Sequence, residues 1–141
     1  MMIKVFSKID PEKLLHIVIN INEVADRIDL IPEDNFLQCM IVRKDAGVKF
    51  KTHKHIYKDV DFTSAIAQES WFVYKGKIKV FHYDLDDTLI GTHYLSAGEM
   101  NVTLFGGHTF EVLENDTIVL EQKNGPYYGQ ALDKKFIDEQ N

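Results

Sequence analysis

The chain has 141 residues and a formal net charge of −6, and 45% of its residues are hydrophobic against 27% charged. This length favours a single domain, and the composition is that of an ordinary globular protein. The acidic balance argues against the basic patch of a nucleic-acid binder and against electrostatic attachment to an anionic membrane, so we expect neither partner.

The expected compartment follows from segments that the sequence lacks. No run reaches transmembrane length, and residues 1–20 show no basic start followed by an apolar stretch and a small-residue cleavage site. Cys39 is the single cysteine, so no internal disulfide can form, and it lies in an apolar run. We therefore expect a cytoplasmic protein in which Cys39 is a buried thiol.

The N-terminal third alternates between strand and turn signals. Residues 3–6 favour a short edge strand. Asp10-Pro11-Glu12 has the N-cap residue, the first-turn proline and the first-turn acid of a helix start. The β-branched run at residues 17–21 prefers a strand, so any helix is short. Residues 37–43 form the next predicted strand.

A long strand is predicted at residues 69–81, with a break at Gly76. Trp71 and Phe72 point to opposite faces of this strand, so both faces carry large apolar groups and need cover. We expect the domain core to cover one face of this strand and the second subunit of a homodimer to cover the other face. The loop before this strand, residues 57–68, is predicted to lie across a barrel mouth.

The second half of the chain contains evenly spaced turn signals. We predict a hairpin turn at residues 84–87, a turn at 97–99, a tight corner at 106–107 and strands at 78–83, 88–95, 100–105, 108–113 and 117–122. The chain thus has eight or nine short strands and almost no helix. This pattern predicts an antiparallel sandwich or barrel.

Two histidines mark a candidate metal site. His53 and His55 are two residues apart, so on an extended strand their side chains point to the same face. Two such imidazoles are half of a metal site, to which Glu69 could add a carboxylate and His108 a third imidazole. The alternative is a solvated basic face, because lysines surround the histidine pair. The remaining histidines, at positions 16, 82 and 93, are interpreted as packing or surface residues.

The spacing of these residues resembles the cupin superfamily over most of residues 37–122. The first cupin motif matches Gly47, then His53 and His55, and later Glu69 followed by Gly76 after six residues. The second motif runs from Gly98 to His108. The chain departs from the family pattern in having thirteen residues between His55 and Glu69, and in having Leu104 at the usual proline. It also looks like a small single-domain subgroup, mostly uncharacterised, associated with sugar or polysaccharide metabolism.

The resemblance implies an all-β antiparallel jelly-roll (cupin) barrel in a single domain. Residues 1–36 would be N-terminal strands and a short helix packing on the barrel, residues 37–123 the barrel core, and residues 124–141 a C-terminal tail. It also implies that one divalent transition metal, Fe, Mn, Ni, Co or Zn, is bound by His53, His55, Glu69 and His108. A mixed nitrogen and oxygen set suits all of these metals.

The functional expectation is a metal-binding cupin with a small hydroxylated or sugar-type ligand in the barrel. As an isomerase or epimerase it would polarise a carbonyl with the metal, and Glu121, Tyr57 or an unligated histidine would move a proton. An iron(II)-dependent oxygenase and a non-catalytic ligand-binding cupin are the alternatives. All three classes occur among cupins, so the fold does not choose between them.

Overall fold

The computed structural model describes residues 1–57 and 64–137, which contain ten strands and very little helix. The strands are β1 (Met2–Phe6), β2 (Leu14–Asn20), β3 (Arg27–Asp29), β4 (Met40–Val42), β5 (Glu69–Lys75), β6 (Lys77–Tyr83), β7 (Leu89–Ser96), β8 (Glu99–Thr103), β9 (His108–Val112) and β10 (Ile118–Lys123). A 3-10 helix spans Ile21–Glu23, and the helix α1 spans Gln130–Asp133. Neither of these helices is long and apolar enough to cross a membrane.

The strands form three antiparallel sheets. The large sheet has the order β1-β2-β8-β5-β10, the small sheet has the order β7-β6-β9, and β3 and β4 form a separate hairpin. The all-β antiparallel prediction is confirmed. Within the described residues no sheet closes on itself, so a jelly-roll barrel stays a prediction. Strands β1 and β2 belong to the large sheet, so the N-terminal strands extend that sheet instead of packing onto it.

The helix predicted after Asp10 is replaced by a turn. The Lys13 N–H donates to the Asp10 carbonyl at 2.9 Å, and β2 begins at the next residue, Leu14. Five consecutive residues of β2 are buried between the two neighbours of this strand in the large sheet. Tertiary pairing therefore overrides the local helix-start signal.

The strand predicted to bear His53 and His55 is not formed. Residues 48–57 have neither helix nor strand structure, and all of their side chains are exposed. The loop predicted at residues 57–68 lies partly outside the described residues, because positions 58–63 are not described.

The large sheet carries an apolar cluster on each of its faces. On one face, Val18, Trp71 and Val73 pack against Ile78 and Val80 of the small sheet. On the other face, a second cluster is formed by Ile17, Ile19, Met100, Val102 and Leu104 with Leu30 and Ile31, and Phe72 packs against it. Tyr74 and Leu120, on the same face as Phe72, stay 67% and 52% exposed, so the homodimer stays a prediction.

Two glycines make the corners that carry the chain between the sheets. Gly76 has φ +83° and takes the chain from β5 directly into β6, and a Cβ there would lie 2.9 Å from the Thr117 Cα. Gly106 has φ +78° at the corner between β8 and β9, where a Cβ would collide with the Tyr83 carbonyl oxygen. Both corners require a residue without a side chain.

Asp84 fastens the β6–β7 hairpin turn to the β1–β2 turn. Its buried carboxylate accepts hydrogen bonds from the Ser7 hydroxyl at 2.5 Å and from the Lys8 N–H at 2.6 Å, and also from the Leu85 N–H at 2.8 Å. Burial raises the pKa of the Asp84 carboxyl, but these hydrogen bonds outweigh it and lower the pKa overall. One side chain thus connects turns that are far apart in the sequence.

We predict that Asp84→Ala lowers the free energy of unfolding by about 2 to 4 kcal/mol, because it leaves the buried Ser7 hydroxyl and the partly buried Lys8 N–H without their charged acceptor. Urea unfolding followed by circular dichroism measures this change. Asp86→Ala is the matched control, because Asp86 lies in the same turn, is exposed and accepts only from Thr88. Equal stability of the two variants would contradict the fastening role.

Candidate ligand-binding site

Strand register places a polar row across one end of the large sheet. Thr103 of β8 is directly opposite His16 on one side and Glu69 on the other, and Glu69 is opposite Lys123 of β10. Directly opposed residues project from the same face of a sheet. This row therefore faces the small sheet, on the same face as the apolar residues Val18 and Val73.

The small sheet brings a matching pair of histidines to the same end. His82 of β6 is directly opposite His108 of β9. The residues Ile78 and Val80 precede His82 at alternate positions and are fully buried, so His82 shares their inward direction. The two sheets thus meet through polar side chains at this end and through apolar ones further along.

The central contact of the site joins the two sheets. The Glu69 Oε1 and His108 Nε2 atoms are 3.6 Å apart, and Glu69 is only 8% exposed. Burial alone raises the pKa of the Glu69 carboxyl, but the polar contact and charge of His108, with the charge of Lys134, lower it below its ordinary value overall. Glu69 is therefore a carboxylate at neutral pH.

A cavity of about 370 Å³ opens beside this pair. The Trp71 indole lies against the His108 ring with centroids 4.7 Å apart, and its N–H donates to the Glu121 carboxylate at 3.2 Å. The cavity is lined by Ala67, Glu69, Trp71, Tyr83, His108, Thr109, Phe110, Glu121 and residues 133–137. Carboxylate and imidazole groups beside aromatic walls are suited to a small hydroxylated molecule.

A hydrogen-bond chain lies deeper between the sheets, and we name it the histidine chain. His82 Nε2 lies 2.8 Å from Asn101 Oδ1, Asn101 Nδ2 lies 3.3 Å from Thr103 Oγ1, and Thr103 Oγ1 lies 3.0 Å from His16 Nδ1. His16 Nε2 then reaches the Tyr83 carbonyl oxygen at 3.3 Å. The rings of His16 and His82 are stacked at 4.1 Å.

The acceptors fix the direction of every bond in the histidine chain. The Tyr83 carbonyl can only accept, so His16 carries its proton on Nε2 and accepts from the Thr103 hydroxyl at Nδ1. Asn101 donates to Thr103 with its amide nitrogen, so its oxygen accepts from His82 Nε2. Both histidines are therefore neutral, each with its proton on Nε2.

Burial keeps these two imidazoles uncharged. Burial, together with the nearby His82, lowers the pKa of His16 to about 3. Burial also lowers the pKa of His82 to about 4, although its hydrogen bond to Asn101 opposes the shift. Among the described side chains that are not exposed, the buried nitrogens without a hydrogen-bond partner are Nδ1 of His82 and Nδ1 of His108. Both nitrogens belong to the directly opposed pair His82 and His108.

The structure brings together some of the predicted site residues and separates others. Glu69, His108 and Glu121 line one cavity. His53 and His55 lie on the exposed segment with their rings 5.4 Å apart, and Tyr57 is fully exposed. In the described part of the chain, no group of three or more His, Cys, Asp or Glu side chains is arranged to hold a metal ion. The four predicted ligands do not fit a metal as arranged here, and their joint role stays a prediction.

The sequence analysis missed the histidine chain. It assigned His16 and His82 only packing or surface roles, whereas both are fully buried and hydrogen-bonded. The alternation of Ile78, Val80 and His82 was the available signal, because it places His82 on the core side of its strand. His16 is far from His82 along the chain, and no local sequence pattern indicates that the two rings stack.

We predict that the protein loses stability as the pH falls from about 7 to about 5, by about 2 kcal/mol for each buried histidine. The lowered native pKa values mean that below 6.5 the unfolded chain binds protons that the native state does not, so acid favours unfolding. This window lies above the ordinary Glu pKa of 4.5, so Glu69 contributes little to it.

Urea unfolding at several pH values measures this dependence. His82→Gln should remove about half of the pH-dependent loss, because one of the two titrating groups is gone. His55→Gln, at an exposed position, is the control and should leave the slope unchanged. The same slope in both variants would show that His82 does not set the acid sensitivity.

A second prediction concerns the metal. If these residues come together on a metal as the cupin resemblance implies, protein purified without a metal-affinity tag should retain a divalent metal, and replacing His53 and His55 together by alanine should abolish that retention. Elemental analysis measures the metal content, and Lys54→Ala, between the two histidines, is the control. Unchanged metal in the double variant would refute the role of the pair, and full occupancy in Glu69→Gln would remove Glu69 from the set.

The comparisons with known proteins add no identity. No family model, curated protein or solved structure matches this chain. The cupin resemblance therefore rests on the motif residues alone, and the function has to be argued from the cavity.

Proposed function

We propose that the chain binds a small hydroxylated, sugar-type metabolite in the cavity and isomerises or epimerises it. The observation that carries this proposal is the approach of the Glu69 carboxylate to the His108 imidazole, 3.6 Å apart beside an aromatic wall. A base and an acid held this close can act on adjacent atoms of one substrate. Neither an oxidant nor a reductant is needed for this reaction class.

The proton movements balance with these two groups. Glu69 is ionised, so it can take a proton from a carbon next to a carbonyl group, while the His108 N–H gives a proton to the carbonyl oxygen. The resulting enediol takes the proton back from Glu69 at the neighbouring carbon, and His108 recovers its own proton from the other hydroxyl. The product is the isomeric aldehyde or ketone, and both side chains return to their starting states.

Glu121 has a supporting place in this proposal. Its carboxylate accepts from the Trp71 indole, and both side chains line the cavity. An epimerase needs a second group to return the proton to the opposite face of the same carbon, and Glu121 is the available carboxylate. Trp71 would pack against the apolar face of the sugar ring.

A cupin-type barrel, with a divalent metal held by His53, His55, Glu69 and His108, is an alternative proposal in which Glu69 and His108 would be ligands and not the base and the acid. Two features support it: the two larger sheets pack face to face, and Glu69 and His108 already lie together at one end. The exposed apolar residues Val48 and Phe50 alternate with lysines, which is the pattern of a half-buried strand.

The function is tested by proton exchange in heavy water. A panel of aldoses, ketoses and sugar nucleotides is incubated with the protein, and NMR follows both the formation of the isomeric sugar and deuterium uptake next to the carbonyl. We predict conversion of at least one compound and a loss of about 100-fold or more in Glu69→Gln, because the base is removed. Glu111→Gln, an exposed site on the same strand as His108, is the control.

The outcomes separate the proposal from its alternatives. A change in Trp71 fluorescence on sugar addition without deuterium uptake would favour a non-catalytic binding protein. Uptake that survives in Glu69→Gln would exclude Glu69 as the base. If the whole panel gives neither response, the sugar-type function is wrong.

A further inference from the structure

The C-terminal residues Asp133–Ile137 form one wall of the cavity. These five consecutive residues all line it, opposite Glu69, Trp71 and His108. Residues 134–137 have neither helix nor strand structure. Beneath this segment, Glu69 is 8% exposed and Trp71 is 5% exposed. The wall therefore separates the reactive side chains from solvent without being part of either sheet.

An ion pair fastens the first end of the segment. The Lys123 Nζ atom lies 3.0 Å from the Asp133 carboxylate, and the side chains are only 21% and 15% exposed. Lys123 lies on β10, directly opposite Glu69 of β5. Removal of one partner from a largely buried ion pair is costly, because the other charge is left unpaired. This contact joins the segment to the large sheet.

An apolar contact fastens the second end. A Cβ placed on Gly107 would overlap the Ile137 Cδ1 atom and would lie 3.1 Å from the Tyr83 Cβ. Because Gly107 has no Cβ atom, the Ile137 side chain can occupy that space. This contact joins the segment to the corner before β9, next to His108.

The three residues between these contacts are held loosely. Lys134, Lys135 and Phe136 are exposed, although all three border the cavity. The charge of Lys134 helps to lower the pKa of Glu69. A short irregular span with few buried contacts, held at two points, opens at low free-energy cost compared with a strand.

We propose that Asp133–Ile137 is a cover, fastened by Lys123–Asp133 and by Ile137 at Gly107, that swings away to admit the ligand. This inference concerns access to the site of the proposed function. The inference rests on the two contacts that hold the cover, and it does not depend on which ligand enters the cavity. The cover excludes water while it is closed, so that solvent does not compete with the substrate for Glu69 and His108.

Trp71 reports on the cover directly, because it is the only tryptophan of the chain. Acrylamide quenching of its fluorescence measures how often the cavity opens to solvent. We expect Asp133→Asn and Ile137→Ala each to raise the quenching constant about twofold or more, because each releases one end. Gly107→Ala should do the same without altering the cover, since it displaces Ile137.

Matched controls separate the cover from general loosening. Asp29→Asn breaks an exposed ion pair with Arg27 on β3, and Leu132→Ala truncates an apolar residue just before the cover that is 82% exposed. Both should leave quenching unchanged. Lys123→Gln should raise the quenching constant as much as Asp133→Asn does. The variant that combines these two substitutions should be quenched no more than either single variant. Far-UV circular dichroism and thermal unfolding identify any variant that has simply unfolded.

Each outcome is decisive. Increased quenching in the folded Asp133, Ile137 and Gly107 variants, with unchanged controls, supports the cover. Wild-type quenching in all of these folded variants overturns it, and so does an equal increase in the controls. The measurement uses no sugar, so failure of the deuterium exchange would refute the proposed function and leave the cover standing.

Discussion

The arrangement of the site depends on a hydrogen-bond chain that joins the two larger sheets. His82 comes from the small sheet, whereas Asn101, Thr103 and His16 come from the large one, and each bond has only one possible direction. A buried chain of this kind is satisfied only when the strands keep their register. Since His82 and His108 are directly opposed, the same register sets the position of His108 relative to Glu69.

The polar and apolar ends of the space between the sheets have different roles. At the apolar end, Val18, Val73, Ile78 and Val80 pack tightly and give the sheets their mutual attraction. At the polar end, burial is costly, and it is tolerated because His16 and His82 are neutral and hydrogen-bonded. Glu69 remains charged beside His108, and the cavity opens there. Chemistry is therefore confined to one end of a rigid framework.

The sequence predicts the second half of the fold well and the first half less well. From Glu69 to Lys123, the strands end at recognisable turns, as at Asp84 and Gly98, and β6 alternates between buried and partly buried residues. The Asp10-Pro11 helix signal fails because long-range pairing of β2 outweighs a local preference. The pattern around His53 and His55 predicts a strand, but a strand also needs a neighbour, and local sequence does not supply one.

The site, like the fold, can be predicted only in part from the sequence. The meeting of Glu69 with His108 was anticipated from the motif spacing, although thirteen residues separate Glu69 from His55. The stacking of His16 on His82 depends on how one sheet faces the other, and no local pattern encodes that. The role of residues 133–137 was equally hidden, because the tail contributes through single contacts at its ends and not through a periodic face.

The adjacent glycines at positions 106 and 107 meet unrelated demands. Position 106 needs a backbone with positive φ, whereas position 107 needs the volume that Ile137 occupies. The positive φ depends on the residue at position 106 alone, whereas the space at position 107 depends on the sizes of residues 107 and 137 together. The side-chain sizes at positions 107 and 137 should therefore vary together in related proteins. A relative with alanine at 107 should have a residue smaller than isoleucine at 137. Such paired changes would record the tail contact in sequences alone.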